Sequence, residues 1–130
     1  MGKKHAEHSF AMVIFGASGD LTKRKLMPAL YDLYRNGRLP EKFCILGTGR
    51  TVYTDEEYRS YILTGLGEFI AQAGQDPQGM ESFVGHLYYF PMDPSSAAHY
   101  QQLKLRLQQL TADEESDMLF IWLHHRYYTE

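Results

Sequence analysis

Phe10–Leu33 reads FAMVIFGASGDLTKRKLMPALYDL. A continuous apolar run, Phe10 to Phe15, meets Gly16-Ala17-Ser18-Gly19 and gives way to a basic segment with helical spacing. An apolar run of six ending in glycine suits a strand buried on both faces. Gly16 permits a sharp turn after that strand, and Gly19 removes a Cβ where a diphosphate would approach the backbone. A helix opening there presents free N–H groups and a partial positive charge, which suits phosphate. Asp20 stands where an N-cap is expected. Lys23, Arg24 and Lys25 oppose the helix dipole in the first turns, so a ligand-facing role is attractive. Pro28 lies inside the helical pattern and predicts a kink or break near Met27. The spacing is G-x-x-G, shorter than the full G-x-G-x-x-G fingerprint. A tight strand-to-helix turn without any ligand accounts for the same glycines.

Outward from this stretch the chain alternates. Leu26, Leu30, Leu33 and Tyr34 mark a helix stopped by Asn36-Gly37. Phe43–Gly47 reads as a second strand. Thr54 to Glu57 forms a capping box ahead of an apolar stripe, Tyr58, Tyr61, Ile62, Leu66, Phe69 and Ile70. Gly65 and Gly67 weaken that helix. Ala73 to Gly79 reads as turn material. His86 to Asp93 is a third strand, with Pro91 near its end. Tyr100, Leu103, Leu107 and Leu110 mark a third helix, and Met118 to Leu123 is a fourth strand. Strands alternating with helices predict an α/β fold: a Rossmann-like, partial doubly wound parallel sheet of about four strands and three helices, truncated relative to a full fold. The first strand is expected inside the sheet with the fourth beside it. Residues 1–9 read as a disordered tail, and 10–130 as a partial dinucleotide-binding domain.

Composition fits one soluble domain of 130 residues. A formal net charge of −3 argues against general attraction to nucleic acid or membrane surfaces. No apolar run approaches the roughly 18 residues of a membrane span. The single cysteine, Cys44, has no internal partner, so a reducing cytoplasm is expected; within an apolar strand it reads as a buried, inert thiol. His124 and His125 are adjacent, and neighbours on a strand point to opposite faces, so no shared metal is expected. Asp55, Glu56 and Glu57 are helix-start acids, not a catalytic pair. No catalytic residue is assigned.

The end of the second strand bears on the ligand. NAD-binding folds of this kind place an acid there to grip the ribose 2′-hydroxyl. Here the residues are Gly47-Thr48-Gly49-Arg50. An arginine in place of a carboxylate favours a 2′-phosphate, hence NADP over NAD. A solvated loop cation or a helix-capping contact is the alternative.

The run F-G-A-S-G-D-L-T-K-R-K-L-x-P-A-L, followed by R-N-G-x-L-P and the glycine-rich strand end with Arg50, resembles glucose-6-phosphate dehydrogenase. YYFPMD and the following S-x-x-x-x-Y-Q-Q-L-K resemble the same family, and the likeness runs from about Phe10 to Phe120. It implies an NADP-linked enzyme that oxidises glucose 6-phosphate at C1 to the lactone, in the pentose phosphate pathway, in a homo-oligomer. By that resemblance Gly16, Ala17, Ser18, Gly19, Asp20 and Leu21 form the dinucleotide turn. Arg50 holds the 2′-phosphate, and Lys25 adds to the phosphate field. The family's E-K-P-x-G and D-H-Y-x-G-K motifs, the latter carrying its catalytic histidine, are absent. The chain therefore reads as an inactive N-terminal fragment that binds NADP and meets glucose 6-phosphate only in a full-length enzyme. The alternative is a non-catalytic nucleotide-binding module or an inert fragment. The tail from Ile121 departs from the family in the way a compensated frameshift would, and the fourth strand is expected to leave an edge open to self-association.

Overall fold

The computed structural model describes residues 9–70, 76–111 and 116–122. Four parallel strands form one sheet: β1 (Ser9–Phe15), β2 (Lys42–Gly49), β3 (Leu87–Pro91) and β4 (Ser116–Trp122). Their spatial order is β3-β2-β1-β4, so β1 lies inside with β4 beside it, as expected. In register, Met12 lies opposite Ile45 on one side and Leu119 on the other.

Alternation along the strands divides the core between two faces. Met12, Ile14, Phe43 and Ile45 pack on one face with Leu30, Tyr31, Tyr58, Ile62, Leu66 and Phe83. Ala11, Val13 and Leu46 pack on the other with Leu103 and Leu107. The helices are α1 (Met27–Arg35), α2 (Asp55–Ile70), α3 (Pro77–Val84) and α4 (Ala97–Leu110). The first three cover one face and α4 the other, as in a doubly wound sheet.

Several local expectations hold for the stated reasons. Thr54 and Glu57 form the reciprocal box: Thr54 N–H donates to Glu57 Oε1 at 2.8 Å, and Glu57 N–H to Thr54 Oγ1 at 3.1 Å. Helix α1 ends at Gly37, whose φ is 70°, with Arg38 N–H on Leu33 O at 2.8 Å and Gly37 N–H on Tyr34 O at 3.0 Å. Of its predicted apolar face, Leu30 is buried but Leu33 is 39% exposed.

One of the local expectations is corrected. Residues 76–79 are not simply a turn: Asp76 caps α3 by accepting from Gly79 N–H at 3.2 Å, and Pro77 takes the first helical turn, where its missing N–H costs nothing. Among the described residues there are thus four α-helices where three helices were predicted. Near Pro28 the helix changes character at Met27, where the sequence places a kink or break. A π-helical turn, Thr22–Leu26, leads into α1, and Leu26 and Met27 keep right-handed helical dihedrals. Met27 N–H reaches back to Thr22 O, so the hydrogen-bond register changes just before the proline. Pro28 and Leu30 are buried, and Ala29 between them is exposed.

Among the described residues β4 is an edge strand. Ile121 packs against the core, whereas Met118 is 45% exposed. Met118→Lys is therefore expected to reduce concentration-dependent association while leaving the circular dichroism spectrum unchanged. Light scattering that is independent of concentration in the unmodified chain would contradict an open edge.

Candidate functional site

The carboxyl ends of β1 and β2 meet at the glycine turn. Gly16 has φ 91°, a conformation that side chains rarely adopt. Gly16 N–H and Ala17 N–H both donate to Thr48 O at 3.0 Å, which ties the turn to β2. Thr22, fully buried, donates its hydroxyl to Gly16 O at 2.9 Å. Gly19 N–H returns to Gly16 O at 3.2 Å, and Lys23 N–H to Gly19 O at 3.2 Å, which starts the helix.

The approach is close enough to crowd any side chain at Gly47 and Gly49 of β2. A Cβ on Gly47 would stand 2.5 Å from Ala17 Cβ, and one on Gly49 would stand 2.7 Å from Ser18 Oγ. These glycines, legible in sequence only as a glycine-rich strand end, make room for the turn. Gly65, which looked like a weak point in a helix, faces the Lys23 stem: a Cβ there would lie 2.6 Å from Lys23 Cγ.

Tyrosines surround the turn from below. Tyr58 donates to Ala17 O at 2.8 Å and Tyr61 to Ser18 O at 3.0 Å. Tyr89 donates to Thr51 O at 2.6 Å, beside Arg50. Tyr58 and Tyr89 stack with centroids 4.7 Å apart, and Tyr53 stacks on Tyr61 at 5.4 Å. Burial pushes the Tyr58 phenol well above its ordinary value, reinforced by Tyr89, Tyr61 and Tyr53, so it stays a neutral donor. Sequence periodicity identified Tyr58 and Tyr61 only as core positions. Their hydroxyls report on the turn, and no spacing rule announces that.

The three cations separate. Lys23 Nζ lies 4.5 Å from the Tyr61 ring centroid. Arg24 pairs with Asp20 at 3.2 Å, both highly exposed, a contact of little energetic weight. Asp20 is thus corrected as a cap: it is the first helical residue, and among the described residues its carboxylate turns to Arg24. Leu21 is half-buried behind it, and Lys25 is exposed on the π-helical turn.

Arg50 is exposed at the end of β2 and lines a hollow of about 500 Å³ with Val52, Met92, Asp93, Ser95 and His99. The Asp93 carboxyl is held below its usual value, first by Ser95 N–H and then by the Ser95 hydroxyl, with smaller contributions from the charges of Arg50 and His99. Asp93 N–H donates to His99 Nδ1 at 2.8 Å.

Asp55 does structural work between layers. It accepts from Tyr89 N–H at 2.8 Å and pairs with Arg106 at 3.3 Å. Cys44 is half-buried in β2. No metal-ligating group of three or more side chains occurs among the described residues. His5, His8, His124 and His125 lie outside them. No described helix is long and apolar enough to cross a membrane.

The donor set fits a dinucleotide: a positive-φ glycine, two strand positions that tolerate no Cβ, the opening of a helix, and a cation at the next strand end. Comparison with known proteins agrees. The model of the glucose-6-phosphate dehydrogenase NAD-binding domain matches residues 13–129, beyond the Phe120 limit read from the sequence. Glucose-6-phosphate 1-dehydrogenase of Bacillus subtilis is 35% identical over 83% of this chain and 21% of its own length. The enzyme of Aggregatibacter actinomycetemcomitans is 44% identical over 76% of this chain and 19% of its own. A solved glucose-6-phosphate dehydrogenase in complex with glucose 6-phosphate superposes with a TM-score of 0.77 at 29% identity, covering 91% of this chain and 24% of that one. The chain spans about a fifth of the length of these curated relatives. By fold, turn and sequence, the chain belongs to the glucose-6-phosphate dehydrogenase family, through its NAD-binding domain.

Proposed function

We propose that this chain binds NADP as the coenzyme-binding part of a glucose-6-phosphate 1-dehydrogenase of the pentose phosphate pathway. The observation that carries the reading is the seating of Gly16–Leu21 against Gly47 and Gly49, with Arg50 at the adjoining strand end. Gly16, Ala17, Ser18, Gly19, Asp20 and Leu21 would receive the diphosphate, Arg50 the 2′-phosphate, and Lys25 would add positive field. The nicotinamide of the bound coenzyme supplies the hydride acceptor.

The 130 residues supply binding rather than turnover. Oxidising a sugar hydroxyl needs a base placed on its proton and groups that orient the ring. The side chains at the turn are tyrosines held on backbone carbonyls, and the family's histidine motif is absent from the sequence. Glucose 6-phosphate and homo-oligomer formation belong to the full-length enzyme. The lone cysteine favours a cytoplasmic location.

Gly19→Val tests the turn. A branched Cβ beside the diphosphate should abolish NADP binding while the fold persists. Calorimetric titration with circular dichroism as the folding control reads it; a folded variant with undiminished affinity would remove the turn from the site.

A further inference from the structure

We infer that Tyr58 and Tyr61 are positioning residues for the coenzyme diphosphate, acting through the two peptide groups their hydroxyls hold. The inference rests on the coenzyme reading above. In a trans peptide the C=O and the following N–H point in opposite directions. Tyr58 holds Ala17 O at 2.8 Å, so the N–H of Ser18 is aimed away from the tyrosines. Tyr61 holds Ser18 O at 3.0 Å, so the N–H of Gly19 is aimed likewise, toward Gly16 O at 3.2 Å. Two consecutive peptide planes of the turn are thereby fixed before any ligand arrives: the Gly19 N–H closes the turn on Gly16 O, and the Ser18 N–H is left directed away from the tyrosines. Fixed donors cost no reorganisation on binding.

The supports of this arrangement are themselves fixed. Tyr58 is fully buried, and helix α2 presents Tyr61 one turn later on the same side. Tyr61 is held between Lys23, 4.5 Å from its centroid, and Tyr53, stacked at 5.4 Å. The cluster continues through Tyr58 to Tyr89, whose hydroxyl holds Thr51 O at 2.6 Å next to Arg50. One aromatic cluster therefore sets the diphosphate turn against the arm that bears the arginine.

The test uses the 130-residue chain with two ligands: NADP, and adenosine 2′-monophosphate, which offers a 2′-phosphate and no diphosphate. Tyr61→Phe keeps the ring and removes the hydroxyl, at a site that is only half-buried. Its NADP affinity should fall roughly three- to tenfold, while its affinity for adenosine 2′-monophosphate stays at the wild-type value. Tyr58→Phe should do the same and lower the melting temperature as well, because Ala17 O loses its donor. In the ligand-free chain, amide resonances of Ser18 and Gly19 should shift in both variants. Equal weakening toward both ligands, or unchanged NADP affinity in folded Tyr61→Phe, would overturn the inference and leave the coenzyme reading standing. A wild-type chain that binds neither ligand would overturn both.

Discussion

Gly47→Val is expected to be the most damaging single substitution at the site, lowering stability by about 1–3 kcal/mol and weakening NADP binding with it. Even a methyl at this position would stand 2.5 Å from Ala17 Cβ and 3.3 Å from the Tyr58 hydroxyl. Ala17 has little freedom to retreat, because its N–H and that of Gly16 are both bonded to Thr48 O on the same strand. The strain is therefore relieved only by lifting the turn off β2, which loses those bonds. At roughly 2–8 °C per kcal/mol for domains around this size, thermal denaturation resolves the effect. Gly67→Ala is the matching control. Nothing lies within 4 Å of the added methyl, and a helix interior gains about 0.5–1 kcal/mol on replacing glycine with alanine. A Gly47 variant that melts with the wild type would refute the close approach of turn and strand.

Arg50→Ala is expected to erase most of the preference for NADP over NAD. A charge-assisted contact to phosphate contributes roughly 1.5–3 kcal/mol, about 10- to 150-fold in affinity. Arg50 is exposed, so its removal leaves the core intact, and the loss should fall on NADP while NAD affinity changes little. Asp93, held ionised first by the Ser95 N–H and hydroxyl, would remain in the same hollow and add repulsion toward the 2′-phosphate. Arg50→Lys should recover only part of the preference, because an ammonium lacks the bidentate fork. Competition binding of the two nucleotides reads both variants. An undiminished preference in Arg50→Ala would place the 2′-phosphate elsewhere.

Much of this architecture was legible in the residues. The buried β1 run, the capping box at Thr54 and the glycine stop at Gly37 each carry a local signal that tertiary packing did not override. Asp76-Pro77 misled because proline and glycine mark both turns and helix starts; the distinction lay in the apolar Met80, Phe83 and Val84 that follow. Pro28 signalled the change of helix at Met27 but not its form. Its cost in a helix assumes an unbroken i→i−4 ladder, and the π-helical turn before it changes that ladder. The G-x-x-G turn and the arginine at the end of β2 were readable as local patterns. The construction of the site was not, because Tyr58, Tyr61, Gly47 and Gly49 act across 30 to 43 positions of chain, through contacts that no local pattern encodes.

The most direct measurement is calorimetric titration of the unmodified 130-residue chain with NADP and with NAD at the same pH and ionic strength. Saturable binding of one equivalent is expected for NADP, with an affinity at least tenfold above that for NAD. Equal affinities, or tighter binding of NAD, would contradict the assignment of Arg50 and the 2′-phosphate.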